Sequence, residues 1–139
     1  MTSLGRALLV LAAIPVITGA VTVLGGSATI PRAGEPAPAV ESELRFYAVW
    51  WIGAGIYLAS LAPRVQERGR ELRAVCALLF AGGLARVLAM LDAGAPHPLF
   101  VVLMGAELVL AVVLVAWQAR VARAAAGVAG AAYGGTGRG

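Results

Sequence analysis

Residues 79–108 read LFAGGLARVLAMLDAGAPHPLFVVLMGAEL: an apolar arm, a Gly/Pro turn and a second apolar arm. Each arm carries one charge in its interior, Arg86 in the first and Glu107 in the second. A single charge in an apolar run of membrane length is costly, by roughly 2.5–3.5 kcal/mol on insertion scales. Opposite charges on the two arms of one hairpin suggest a pair that offsets this cost. The stretch predicts two antiparallel helices that face each other, with a guanidinium and a carboxylate between them.

The rest of the chain repeats the apolar pattern. Of its 139 residues, 60% are hydrophobic and only 13% charged. An ordinary soluble domain carries about 25% charged residues. Here the charges collect between long apolar runs, which marks a multi-span membrane protein. All eleven basic residues are arginine, and Ala and Gly are in excess, as in a GC-rich bacterial genome. The net charge of +4 comes from arginines beside the spans. No basic-aromatic platform accompanies them, so nucleic acid is not an expected partner. The one cysteine, Cys76, lies in an apolar segment, rules out an intrachain disulfide and fits packing.

Residues 7–30 contain no charge and are long enough to span with some tilt. Pro15 predicts a kink, with Thr18 or a neighbouring helix taking up the freed carbonyls. A signal peptide cleaved near Gly26-Ser27-Ala28 is the rival. The run is longer than a usual signal core and only Arg6 precedes it, which favours a retained helix. Residues 31–43, PRAGEPAPAVESE, read as a loop. A second helix follows from about Glu43, with Ser42 as a candidate N-cap. Tyr47, Trp50 and Trp51 lie near its start, where an interfacial aromatic belt sits. Gly53 and Gly55 allow close approach of another helix. Residues 64–73, RVQERGRELR, form a short charged connection. On the third helix Ala81, Ala85 and Ala89 make a small-residue stripe, with Gly82 one turn below Arg86. On the fourth, eight residues without charge precede Glu107 and ten follow it; Gln118, Arg120 and Arg123 mark the exit.

The expected architecture is all-α: a four-helix transmembrane bundle over residues 1–123, with helices at about 5–28, 43–63, 72–92 and 98–122. An Ala/Gly-rich disordered tail, residues 124–139, follows. Arginine placement sets the orientation. Arg6, Arg64, Arg68, Arg70, Arg73, Arg120, Arg123 and Arg138 fall on one side, and Arg32 and Arg45 on the other. The bias places both termini and the middle connection in the cytoplasm. The expected location is the inner (cell) membrane, crossed several times.

Depth then gathers the unusual polar residues. Arg86 lies six residues before Asp92, or about 9 Å at helical rise, and Glu107 nine residues after Pro98, or about 13–14 Å. A long arginine side chain closes that gap. Glu43, Arg45 and Tyr47 begin the second helix on the same outer side, and His97 sits in the outer turn. The candidate site is therefore a polar cluster of Arg86, Glu107, Arg45, Glu43, Tyr47 and His97 in the outer half. Each residue also has a plainer use. Arg86 and Glu107 serve equally as a structural staple. Glu43 and Arg45 fit interfacial or capping charges, His97 a turn residue, and Tyr47, Trp50 and Trp51 belt anchors. Asp92 fits a helix end.

The sequence holds no metal-ligand cluster, no nucleophile–base set beside a Gly-rich turn and no phosphate loop. No cofactor is expected. Three functions fit. The first is a non-catalytic membrane protein that binds a lipid-like or quinone-like ligand, or acts as an accessory subunit. Its partners would be membrane lipids, that ligand, and a homo-oligomer or larger membrane complex. The second is a small proton-coupled transporter or exporter using Glu107, against which the candidate arginine partner weighs. The third, an enzyme using His97 with Glu43 or Glu107 as acid and base, has the least support.

Four segments resemble the small bacterial four-helix membrane proteins grouped as DUF4345. They are an acidic residue before Arg45-Phe46-Tyr47, Phe80-x-Gly-Gly-Leu-x-Arg86, Gly94-x-Pro96-x-Pro98, and Glu107-Leu108. The resemblance covers about residues 5–123. It implies a four-helix membrane fold and a set of residues to inspect. It implies no activity, because the family's function is unknown.

Overall fold

Four long helices carry the chain: α1 (Ser3–Gly25), α2 (Pro38–Leu61), α3 (Gly69–Ala93) and α4 (Pro98–Gly134). This computed structural model describes the backbone of residues 1–134 and the side chains of residues 1–127. The start of α1 is capped by Thr2, whose hydroxyl accepts from the Gly5 N–H at 3.1 Å. Proline opens both α2 and α4, at a position where its fixed φ suits a helix and its missing N–H is no loss. Gly94 ends α3 at φ +88°, a conformation that side chains rarely adopt.

All four helices are long and apolar enough to cross a membrane, and between 11% and 22% of each apolar stretch is buried in protein. The outward faces are themselves apolar: Val10, Leu24, Leu78, Leu91 and Val102 are all more than two-thirds exposed. An inside-out surface of this kind suits lipid rather than water.

Packing divides the bundle into two hairpins. α1 lies along α2, and α3 along α4. The hairpins join at one end, around Leu4 and Leu8 of α1, Leu61 and Val65, Leu72 and Cys76 of α3, and Ala111 and Leu114 of α4. That end holds the start of α1, the α2–α3 connection and the exit of α4 from the bundle. Away from it, each hairpin packs on itself.

Several boundaries differ from expectation. α2 begins at Pro38 rather than Glu43, so Glu41 stands in its first turn and Ala37, not Ser42, is the N-cap. The tail expected to be disordered from residue 124 is helical as far as Gly134, because alanine has the highest helix propensity. Residues 135–139 of that tail lie outside the described residues. The Thr18 hydroxyl donates to Ile14 O at 2.7 Å, so it does not reach Leu11 O, the carbonyl that Pro15 leaves without its helical donor. Gly55 makes the close approach to α1, against Ala12 O and Pro15, whereas Gly53 faces open space.

Candidate functional site

Arg86 and Glu107 meet across the second hairpin. The Arg86 Nε donates to both carboxylate oxygens of Glu107, at 2.9 and 3.1 Å. The approach depends on Gly83, one turn before Arg86 on α3. A Cβ there would lie 2.8 Å from Leu108 Cδ2 and 3.5 Å from Glu107 Cβ. Glycine at this position therefore seats α4 against α3 at the level of the ion pair. Gly82, the neighbour expected to matter, has nothing within 4 Å, and Ala81, Ala85 and Ala89 are exposed.

The rest of the arginine is less constrained. Its guanidinium carbon stands 6.0 Å from the centre of the Phe100 ring. Neither terminal amino group hydrogen-bonds to any described residue, and the Arg86 side chain is 42% exposed against 13% for Glu107. Arg86 lines a cleft of about 320 Å³ beneath the α3–α4 turn, with Met90 on one wall and Phe100, Val101 and Met104 on the other. The site is thus a carboxylate held inside the hairpin, a guanidinium fixed by one edge, and four remaining N–H donors beside a mostly apolar cleft.

The remaining residues expected in one polar cluster are distributed differently. Arg45 belongs to the other hairpin. Its Nε and Nη2 donate to Glu41 Oε1 at 3.0 and 2.9 Å, and its Nη1 donates to Val23 O at 2.8 Å. Glu41 Oε2 accepts from the Ser27 backbone N–H at 3.1 Å. Glu41 and Arg45 therefore clamp the end of α1 to the start of α2. No hydrogen bond or ion pair joins this clamp to Arg86 or Glu107 among the described residues. Glu43 is exposed and forms no ion pair among them. Tyr47 is exposed, its ring edge-to-face with Phe46 at 5.6 Å. His97 is the N-cap of α4, with its Nδ1 accepting from the Leu99 N–H at 3.2 Å. Trp51, expected in the aromatic belt, turns its indole N–H inward to the Thr18 hydroxyl at 3.0 Å and ties α2 to α1.

Two polar residues were not foreseen. Glu41 lies in PAPAVESE, which reads as loop until Pro38 is recognised as a first helical residue; its i, i+4 spacing to Arg45 was the available signal. Gln118, expected only to mark an exit, is 4% exposed. Its Nε2 donates to Val65 O at 3.3 Å and to Gln66 O at 3.4 Å, fastening α4 to the α2–α3 connection. Those partners lie more than fifty residues away, so no local pattern reveals them.

Four apolar spans around very few charged side chains, two of them paired within one hairpin, define a small multi-pass membrane protein. The chain belongs to the DUF4345 family, described as a domain of unknown function, whose pattern matches residues 4–118. No curated protein and no solved structure matches it.

Proposed function

We propose that this is a non-catalytic protein of the bacterial inner membrane that holds a lipid-like or quinone-like molecule in the cleft beneath the α3–α4 turn, alone or as an accessory subunit of a larger complex. One observation carries the proposal: Arg86 lines the cleft, Glu107 takes only its Nε edge, and its terminal amino groups have no protein partner among the described residues. Unpaired N–H donors are costly in hydrocarbon. An acceptor on a bound molecule would remove that cost.

The chemistry of the pair narrows the acceptor. Arg86 and Glu107 together are close to neutral, so an anionic ligand would add an uncompensated negative charge beside a carboxylate. An ester or quinone carbonyl accepts the same hydrogen bonds without charge. Phe100 offers a ring face, and Met90 and Met104 offer adaptable thioether walls. A volume of about 320 Å³ is near the lower limit of small-molecule sites, room for a polar head with its tail left in the bilayer.

Native mass spectrometry of the detergent-extracted protein tests this. The wild type is expected to retain a small-molecule adduct that Arg86→Gln loses while keeping a cooperative melt. An identical adduct in a folded Arg86→Gln protein, or none in the wild type, overturns the proposal.

A further inference from the structure

The opposite end of the molecule has a charge pattern that the cleft under the turn does not use. The fold gathers Arg6, Arg64, Arg68, Arg70, Arg73, Arg120 and Arg123 there, from three helices and one connection. Against these seven arginines stand two glutamates, Glu67 and Glu71. Arg68 Nη1 is already paired with Glu71 at 3.2 Å. Arg70 and Arg73 form no ion pair and no side-chain hydrogen bond among the described residues. They are three residues apart on α3, hence neighbours on one face.

Both line a second cleft, of about 570 Å³, between the start of α3 and the exit of α4. Glu67 and Glu71 line it as well; Glu71 is taken by Arg68, which leaves Arg70 and Arg73 against Glu67, and Gln118, Ala119 and Ala122 form the α4 side. The cleft is built rather than incidental. Gln118 holds α4 to the α2–α3 connection through two carbonyls, and Gly69 lets the start of α3 close onto the Gln118 amide. The same helices run on directly into the apolar spans, so a molecule with its head in this cleft has acyl-chain surface beside it.

We infer that this cleft, at the arginine-rich end of the bundle, binds the headgroup of an anionic glycerophospholipid, with Arg70 and Arg73 on the phosphate. Charge complementarity selects the lipid class: juxtamembrane arginines attract anionic headgroups, and a zwitterionic lipid offers no net charge to match. The site is independent of Arg86 and stands whether or not the other cleft holds a ligand.

The experiment is lipid retention by native mass spectrometry, with melting temperature measured in parallel. Phosphatidylglycerol is compared with phosphatidylcholine for the wild type, Arg70→Gln/Arg73→Gln and Arg6→Gln/Arg123→Gln. The control pair removes the same charge from the same end but lies outside the cleft. Wild type should retain phosphatidylglycerol preferentially. The cleft pair should lose about thirtyfold in retention, as removal of two basic contacts predicts, and the control far less. All four arginines are exposed, so each variant should keep the wild-type melt in phosphatidylcholine. Equal loss in the two variants, or no preference for phosphatidylglycerol in the wild type, overturns the site. Stabilisation by inorganic phosphate as large as that by the lipid overturns the lipid assignment.

Discussion

At the scale of single residues, the Arg86–Glu107 pair is an exchange of two costs for one contact. Removing one member leaves the other charged and unpaired within a membrane span. Glu107→Gln is expected to cost about 2–3 kcal/mol, since it leaves a guanidinium that cannot shed its charge. The double variant Arg86→Gln/Glu107→Gln should melt above Glu107→Gln alone, because two neutral amides can hydrogen-bond to each other. Melting curves of the three variants in one detergent decide this. A double variant less stable than Glu107→Gln would mean that the charges stabilise more than they cost. His97 makes a second residue-scale case. As an N-cap its loss in His97→Ala should cost about 1 kcal/mol, and His97→Asn should restore most of it. Failure of both substitutions alike, with ligand retention reduced, would point to a role beyond capping.

At the scale of elements, close packing of α3 on α4 depends on Gly83. Gly83→Ala places a methyl 2.8 Å from Leu108 Cδ2, and the overpacking should cost about 1–3 kcal/mol and loosen the nearby ion pair. Gly82→Ala, one position away and facing open space, should be neutral or slightly stabilising by helix propensity. Thermal unfolding of the two alanine variants separates them; equal effects would mean that the hairpin does not close at Gly83. The contrast also marks what the sequence makes legible. The Arg86–Glu107 pairing is readable because two isolated charges sit at matched depths from one turn. Which of two adjacent glycines meets the partner helix is not, because small residues occur on several faces of α3 and only the partner's position selects one. Arg45 was legible as an unusual residue but not as a clamp: Glu41 was hidden in a Pro/Ala run, and Ser27 and Val23 reach it only through the α1–α2 turn. Of the six residues expected in one outer cluster, the structure pairs Arg86 with Glu107 and gives Arg45 a partner on its own helix, Glu41. Depth along each helix can be counted from the sequence, but how far two hairpins stand apart cannot.

At the scale of the molecule, the two hairpins meet at the arginine-rich end, and that end's orientation decides what each cleft encounters. Arginines near span ends are retained in the cytoplasm, and seven of the described ones lie at this end against Arg32 and Arg45 at the other. The cleft at the arginine-rich end should then face the inner leaflet, and the Arg86 cleft should open toward the outer one. Cysteine labelling tests this with little background, because Cys76 is only 3% exposed and lies within a span. Glu35→Cys, in the exposed α1–α2 connection, should react with a membrane-impermeant maleimide in intact cells. Glu67→Cys, in the α2–α3 connection, should react only after permeabilisation. The reverse pattern would place the cation-rich face against the outer leaflet. The cleft at that end would then draw its lipid from that leaflet, and Arg86 would be supplied from the cytoplasmic side. The labelling pattern therefore fixes which leaflet must be varied when the two binding proposals are tested in asymmetric vesicles.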